Sequence, residues 1–311
     1  MRRRAGAEVE GERILRPVVL HEESGFTDSP LVADTAATAR AARGAGWEVH
    51  AFASDFDILG TAEEALEHVP VHAPPRPAVW LGFIPSPERY RAVHAAARGR
   101  GLLLLNDPDA YVRTTELDAY LPRLAELTFE SAIALGVVDA AIAAERIGYP
   151  VFVKGAVRSA RTSGWRACVA EDEGELREIV RRLLGMEARS RGRVVVRRLV
   201  RLRHARTTEH GFPLGREYRV VLHRAAVVGH GYYWEGDDPL AALSPDEEAA
   251  VLAVARTAAA RVDAPFMTVD VGQLEDGSWI VVEVGDPQFS GWSGVDRQGV
   301  FERLAAALAR G

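Results

Sequence analysis

The chain has 311 residues, 48% hydrophobic and 26% charged, a composition typical of a folded globular protein. A single cysteine, Cys168, excludes intramolecular disulfides and multi-cysteine zinc sites. The net charge of −6 gives no general attraction to nucleic acid or an anionic membrane. Met1–Arg13 lacks the apolar stretch of a signal peptide, and no apolar run is long enough to span a bilayer. We therefore expect a cytoplasmic protein with two domains.

The first third of the chain alternates strand and helix patterns. The helical segments contain proline near their start and end at glycines. In chain order the segments are Val18–Leu20, Leu31–Arg43, Trp47–Phe52, Val79–Phe83, Pro87–Arg98 and Leu102–Leu105. This alternation predicts a parallel sheet in an α/β domain over residues 14–115. Ligands of such sheets bind beyond the carboxyl ends of the strands, where Asn106 lies.

The second part of the chain, residues 116–311, has the pattern of an α+β domain with antiparallel strands. Helices are predicted at Val137–Ile147, Gly174–Leu184, Pro245–Val262 and Val300–Ala309. Seven strands are predicted, at Val151–Lys154, Arg166–Val169, Val194–Leu199, Glu217–Leu222, Ala225–Val228, Thr268–Leu274 and Trp279–Val284. Short turns join the fourth strand to the fifth and the sixth to the seventh, which predicts two hairpins.

Lys154 is the only lysine among 38 basic residues, the other 37 being arginines. It ends an apolar strand, and this favours a specific need for a compact ammonium group over a surface position. The following segment, Gly155–Gly164, is rich in cations and backbone donors. Such a turn suits a polyphosphate, although a solvated hairpin loop explains the segment equally well.

Three acidic residues near the end of the chain form a candidate metal site. The second hairpin places Asp270 opposite Glu283 on one face, and Asp286 follows closely. Like charges facing each other destabilise a sheet, so a bound cation such as Mg²⁺ would explain them. Pairing of one carboxylate with an arginine is the alternative. Glu217 and Arg219 share a strand face, and there an arginine could stabilise a transferring phosphoryl group or form a structural ion pair.

Other candidate sites are weaker. Walker, Rossmann, zincin and hydrolase motifs are absent. Five arginines within Arg197–Arg206 could bind an anionic substrate or RNA, but without interleaved aromatic residues they indicate a solvated face. Trp165 and Tyr232–Trp234 fit packing of the hairpin layer, and Tyr232–Trp234 with Glu235 would alternatively line a substrate pocket.

These motifs, in this order, resemble the ATP-grasp superfamily from about Val137 to Val300. The resemblance rests on Lys154 with its loop, the strand Val194–Leu199, Arg216–Arg219, and Asp270 followed by Val282–Asp286. Within the superfamily, four segments together with Ser290-Gly291 are similar to the R2K clade. They are Glu217–Val220, Thr268–Val271, Glu275–Trp279 and Glu283–Asp286.

The resemblance implies a fold and a set of roles. An α/β domain would precede an α+β ATP-grasp domain, whose two subdomains clasp ATP and whose lid spans about residues 150–198. Lys154, Ser159, Arg198, Leu199 and Glu217 would bind ATP, with adenine on the backbone near Arg198. Arg219 and Arg161 would be catalytic. Asp270, Glu283 and Asp286 would hold Mg²⁺, although the family usually has asparagine where this chain has Gly285.

The resemblance also implies a reaction. ATP would phosphorylate a carboxylate, and an amine would attack the acyl phosphate to form an amide or peptide-type bond. The cofactors would be ATP and Mg²⁺. The substrates would be small-molecule or peptide carboxylates and amines, with no membrane or nucleic-acid partner and a homodimer left open. A small-molecule kinase using the same site and a non-catalytic nucleotide-binding protein are the alternatives.

Overall fold

The computed structural model describes residues 16–24, 29–209 and 211–310. Within these ranges the chain forms three four-stranded sheets and one two-stranded sheet. The first four-stranded sheet is parallel and the other two are antiparallel. This confirms the predicted α/β part followed by an α+β part. No helix among the described residues is long and apolar enough to cross a membrane.

The first sheet has the strand order β2-β1-β3-β4. Its strands are β1 (Val18–Glu23), β2 (Glu48–Ala53), β3 (Arg76–Leu81) and β4 (Leu102–Leu104). The helices of this region are α1 (Pro30–Gly44), α2 (Phe56–Leu59), α3 (Ala62–Ala65), α4 (Pro87–Gly99), α5 (Pro108–Thr115) and α6 (Leu117–Tyr120). Ser29 and Ser86 cap α1 and α4, each followed by proline at the first helical position, because proline needs no hydrogen-bond acceptor there.

The second sheet has the order β5-β8-β6-β7 and packs against two helices. Its elements are β5 (Ser131–Ala134), α7 (Val137–Ile147), β6 (Val151–Gly155), β7 (Val169–Ala170), α8 (Glu173–Leu184), α9 (Glu187–Ser190) and β8 (Val194–Arg198). The predicted bounds of α7 are confirmed. Strand β5, an edge strand of four residues, was not predicted.

One predicted strand in this region is wrong. Of the predicted strand Arg166–Val169, Arg166 and Ala167 belong to the short 3₁₀ turn Trp165–Ala167, and only Val169 lies in the two-residue strand β7. Cys168 has φ of −129° and ψ of −20°, which is outside the extended region that a strand requires. Ala167, Cys168 and Val169 are all buried, so the apolar residues of this segment pack in the core without forming a longer strand.

The third sheet has the order β12-β11-β13-β14. The remaining elements are β9 (His204–Thr207), β10 (Pro213–Gly215), β11 (Glu217–His223), β12 (Ala226–Tyr232), α10 (Pro245–Val262), β13 (Phe266–Gln273), β14 (Trp279–Gly285) and α11 (Arg297–Leu308). The predicted bounds of α10 are confirmed. The two predicted hairpins are confirmed as antiparallel pairs, β11 with β12 and β13 with β14. Strands β9 and β10 were not predicted. Arg224 and Ala225 both have positive φ, as a two-residue hairpin turn requires.

The C-terminal helix α11 joins the first and third sheets. Phe301 packs edge-on against Trp47 with 5.2 Å between ring centroids, and the Trp47 indole donates to the Phe301 carbonyl at 3.0 Å. The same apolar cluster contains Val221 of β11 and Val79 of β3. These contacts pack the parallel sheet against the third sheet, and Asn106, which follows β4 at the carboxyl end of the parallel strands, bonds Phe266 of β13.

Candidate active site

A row of three charged side chains crosses the third sheet. Arg219 of β11 is in register with Asp270 of β13, and Asp270 is in register with Glu283 of β14. A β-bulge follows Asp270, which adjusts the direction of the strand beside the two carboxylates. The prediction that Asp270 and Glu283 face each other across the hairpin is therefore confirmed.

Arg219 forms a bidentate pair with Asp270. Its Nε donates to Asp270 Oδ1 at 2.8 Å and its Nη2 to Oδ2 at 2.7 Å, while Nη1 donates to the Gly291 carbonyl. Both charged side chains are almost fully buried, at 9% and 4% exposed. The guanidinium lies over the Tyr233 ring, 4.8 Å from its centroid. The structure thus contains the arginine pair named as the alternative to a metal at Asp270.

Lys154 connects the second sheet to this row. Its Nζ donates to Glu283 Oε1 at 2.8 Å, and its side chain is only 4% exposed, whereas that of Glu283 is 33% exposed. Burial lowers the pKa of Lys154, and Glu283 acts in the opposite direction. Burial alone would raise the pKa of Glu283, but Lys154 holds it below its ordinary value. The lysine and a carboxylate from distant parts of the sequence thus form one ion pair.

The loop after Lys154 supplies a second cation. Arg161 donates to the Tyr233 hydroxyl and lies 5.1 Å from the centroids of both the Tyr233 and Trp234 rings. Ser159 lies in the same loop, and its carbonyl accepts a hydrogen bond from Arg189. The aromatic residues of Tyr232–Trp234 therefore hold a loop arginine, in addition to packing on the sheet.

A cavity of about 860 Å³ separates the second and third sheets. Lys154, Ser159, Arg161, Glu217 and Glu283 line it, as do Arg198 and Leu199. The larger apolar side chains of the lining are Phe129, Phe152, Trp165, Leu199, Leu202 and Phe212. Its size and its mixture of apolar walls and a few charged groups are typical of a small-molecule site.

The run Arg197–Arg206 is not uniformly a solvated face, because Arg197 is 4% exposed. Arg197 donates to Thr128 Oγ1 at 2.9 Å and to the Val282 carbonyl at 3.1 Å, and it lies over the Phe129 ring. Its neighbour Arg198 points outward and pairs with Glu130. Strand β8 shows no alternation of buried and exposed residues, because Val194, Val195 and Val196 are all buried. Its pattern therefore gave no indication that Arg197 is internal.

Glu217 is a buried carboxyl group beside the row. Burial raises its pKa to about 8, with Asp270 and Glu283 adding to the rise and Arg161 and Arg219 opposing it. Glu217 is therefore mostly protonated at neutral pH. A protonated carboxyl group donates one hydrogen bond into the cavity, which an ionised carboxylate cannot do.

We expect the Glu217→Gln variant to be more stable than the native protein at alkaline pH in the absence of nucleotide. Because the folded pKa lies above the unfolded value, the native protein loses stability as pH rises from about 4.5 to about 8. The difference in free energy of unfolding between Glu217→Gln and the native protein should be near zero at pH 4.5 and reach roughly 2–5 kcal/mol at pH 9. Urea unfolding at both pH values measures it, with exposed Glu171→Gln as control. An equal difference at both pH values would contradict a raised pKa.

Asp286 lies apart from the other two acidic residues. It is 1% exposed, its Oδ2 accepts from Asn106 Nδ2 at 2.9 Å, and its Oδ1 accepts from the Gln288 backbone at 3.0 Å. Burial raises the pKa of Asp286 to about 6. Asn106, which is fully buried, also bonds the backbone N–H and carbonyl of Phe266. Asn106 therefore joins the parallel sheet to β13.

We expect Asn106→Leu to destabilise the protein by roughly 2–4 kcal/mol, because it leaves the Phe266 backbone groups and the Asp286 carboxyl without their buried partner. Urea unfolding measures this. The variant Gln298→Leu, on an exposed part of α11, is the control, and equal midpoints for both variants would contradict the assignment.

The groups around the cavity carry an excess of positive charge. Lys154, Arg161, Arg197 and Arg219 provide four cations, whereas Asp270 and Glu283 provide two carboxylates and Glu217 is neutral. Buried charges of one sign are costly unless a counter-charge is present. The arrangement can therefore accept a polyanion, with the apolar side chains holding an uncharged part of the same ligand.

Comparison with known proteins identifies a family for more than half of the chain. The family described as ATP-grasp domain, R2K clade family 3, matches residues 134–306. No curated protein matches the chain in sequence.

Solved structures with a similar fold include an ATP-grasp protein and several ligases. The RimK domain ATP-grasp protein from Sphaerobacter thermophilus DSM 20745 is 16% identical, with a TM-score of 0.58 over 95% of this chain and 100% of that chain. D-alanine–D-alanine ligase from Bacillus anthracis, complexed with ATP, is 11% identical, with a TM-score of 0.63 over 95% and 98%. The ATP-grasp ligase PsnB, complexed with minimal precursor, Mg and ADP, is 16% identical, with a TM-score of 0.57 over 95% and 98%.

The TM-scores show that this chain and these proteins share a fold. The family match covers more than half of the chain. Lys154 and Glu283, whose ion pair joins the second and third sheets, both lie within the matched residues. The chain belongs to the ATP-grasp domain family 3 of the R2K clade.

Proposed function

We propose that the protein is an ATP- and Mg²⁺-dependent carboxylate–amine ligase that forms an amide or peptide-type bond through an acyl phosphate. The observation that carries this proposal is the excess of buried positive charge at one part of a cavity whose other walls are apolar. The triphosphate of ATP would supply the missing negative charge, and adenine would lie against the apolar side chains near Leu199.

The carboxylates fit a magnesium ion. Asp270 and Glu283 are in register on adjacent strands, and the partly exposed Glu283 lines the cavity. Each carboxylate oxygen can accept more than one interaction, so the contacts with Arg219 and Lys154 leave capacity for a cation. We propose Asp270 and Glu283 as the protein ligands and assign Asp286 to the buried contact with Asn106. Bound magnesium would neutralise charge on the transferring phosphoryl group.

The remaining side chains would position the reactants. Lys154 would contact the α- or β-phosphate, and Arg219 would stabilise the γ-phosphate or the acyl phosphate. Arg161, held between two aromatic rings, would contact the same anion from the loop side. Residues 150–198 would act as a lid and, with the rest of residues 116–311, form the ATP-grasp domain after an α/β domain at 14–115.

The reaction would have two steps. A carboxylate oxygen of the substrate attacks the γ-phosphorus, the bond to the β,γ-bridging oxygen breaks, and ADP leaves. The amine then attacks the acyl carbon, phosphate leaves with the carboxylate oxygen, and the amine nitrogen loses a proton. One oxygen of the substrate carboxylate thereby appears in inorganic phosphate.

The test uses pools of amino acids and short peptides as carboxylate and amine, with ADP release as the first signal. A substrate pair that releases ADP is then repeated with an ¹⁸O-labelled carboxylate, and we expect one ¹⁸O atom per phosphate. Release of a stable phosphorylated product that needs no amine would instead indicate the kinase. No ATP binding in the presence of Mg²⁺ would overturn both enzymatic functions.

A further inference from the structure

A cluster of metal-ligating side chains lies in the first sheet, outside the cavity. Glu48 and His50 are two residues apart on β2 and so share a face, and His72 precedes β3. One ligand atom from each of the three residues lies within 4.8 Å of the other two. Among the described residues, no other group of three histidine, cysteine or acidic residues meets this distance.

His72 is held rigidly, and one of its ring nitrogens has no partner. The residue is 8% exposed, its backbone N–H donates to the Arg100 carbonyl at 2.9 Å, and its carbonyl lies close to Gly101. In the part of the chain that the structure describes, buried His72 Nε2 has no hydrogen-bond partner. A buried imidazole nitrogen without a partner is costly, and a metal ion would satisfy it.

The other two residues are also oriented by contacts. His50 Nε2 lies 2.7 Å from Glu48 Oε1, and Arg76 Nη1 lies 2.6 Å from Glu48 Oε2. Arg76 thus fixes the carboxylate from the side opposite His50, as residues beside metal ligands commonly do. The side chains of Glu48 and His50 are 32% and 17% exposed, which leaves an entry path for an ion.

We propose that Glu48, His50 and His72 bind a divalent transition metal, with zinc as the ion to which this ligand set is best suited. Two imidazoles and one carboxylate are a common zinc set, and a water molecule would complete a tetrahedral site. The cluster lies where β2 and β3 begin, whereas Asn106 follows β4 at the opposite end of the sheet, and no residue of β1–β4 lines the cavity. A metal bound here would join the segment before β3 to the edge strand β2.

The test is titration of the metal-free protein with Co²⁺, whose visible absorption reports tetrahedral coordination, followed by displacement with Zn²⁺. We expect one equivalent to bind, and Zn²⁺ to raise the melting temperature. His72→Ala and His50→Ala should each weaken Co²⁺ binding by more than about ten-fold. His68→Ala, which replaces an exposed histidine of the same region, should retain native affinity.

Melting of each metal-free variant shows whether it is folded, and Glu48→Gln, which keeps the side-chain shape, gives a second measurement. Absence of the tetrahedral spectrum in the native protein would overturn the proposal. So would equal affinity in the native protein, His72→Ala and Glu48→Gln. ATP binding is measured separately, and its presence or absence does not bear on this site.

Discussion

We expect Lys154→Met to weaken Mg²⁺–ATP binding by roughly 10- to 100-fold, the loss that corresponds to one charge-assisted hydrogen bond of about 1.5–3 kcal/mol. The substitution removes the ammonium that reaches Glu283 across the cavity. It also leaves that carboxylate without its nearest cation, which should weaken binding further by adding negative charge close to the phosphates. Isothermal titration with ATP measures the change.

Lys154→Arg tests whether charge alone is sufficient. The lysine side chain is 4% exposed in the closely packed strand β6, and the larger planar guanidinium does not fit the same volume. We therefore expect a comparable loss of affinity although the charge is retained. Arg177→Met on exposed α8 is the control. Native affinity in Lys154→Arg would show that any cation serves here.

The single lysine permits an independent measurement. An amine-reactive reagent can modify only one side chain of this protein, apart from the α-amine. Because Lys154 is buried beside the cavity, we expect slow labelling that saturating Mg²⁺–ATP slows further. Peptide mapping after digestion quantifies the modified residue. Equal labelling with and without nucleotide would place ATP elsewhere.

The elements that follow simple periodic patterns could be predicted from sequence. Helix α10 begins with Ser244 as a cap and Pro245 at the first position, and these local signals gave its bounds. The hairpin of β13 and β14 likewise gave the pairing of Asp270 with Glu283, since register follows from the turn. The family resemblance, now shown by the match to residues 134–306, rested on the same local motifs.

Contacts between distant segments could not be predicted in this way. Arg197 is internal because Phe129 and Thr128 surround it, and nothing within its own strand indicates that burial. Asp286 is held by Asn106, 180 residues earlier, a contact that the residues around Asp286 in the sequence did not indicate. Short elements such as β5 depend on an adjacent strand for their hydrogen bonds and carry little pattern of their own.

The pair of Arg219 and Asp270 should have the largest effect on stability. Both side chains are buried and joined by two hydrogen bonds, so removing either one leaves an uncompensated buried charge or polar group. We expect Arg219→Met and Asp270→Leu each to reduce the free energy of unfolding by about 3–5 kcal/mol. Urea unfolding of both variants measures the loss.

The double variant Arg219→Met/Asp270→Leu separates the cost of isolating a charge from the net contribution of the pair. If the cost of leaving one charge buried without its partner is the larger effect, the double variant should be more stable than either single variant, because neither charge of the pair remains. Additive losses would contradict this and would mean that the two side chains stabilise the sheet independently. We expect no ATP turnover in any of the three variants. A double variant at least as stable as the native protein but without turnover would therefore show that the buried pair is retained for the reaction and not for the stability of the fold.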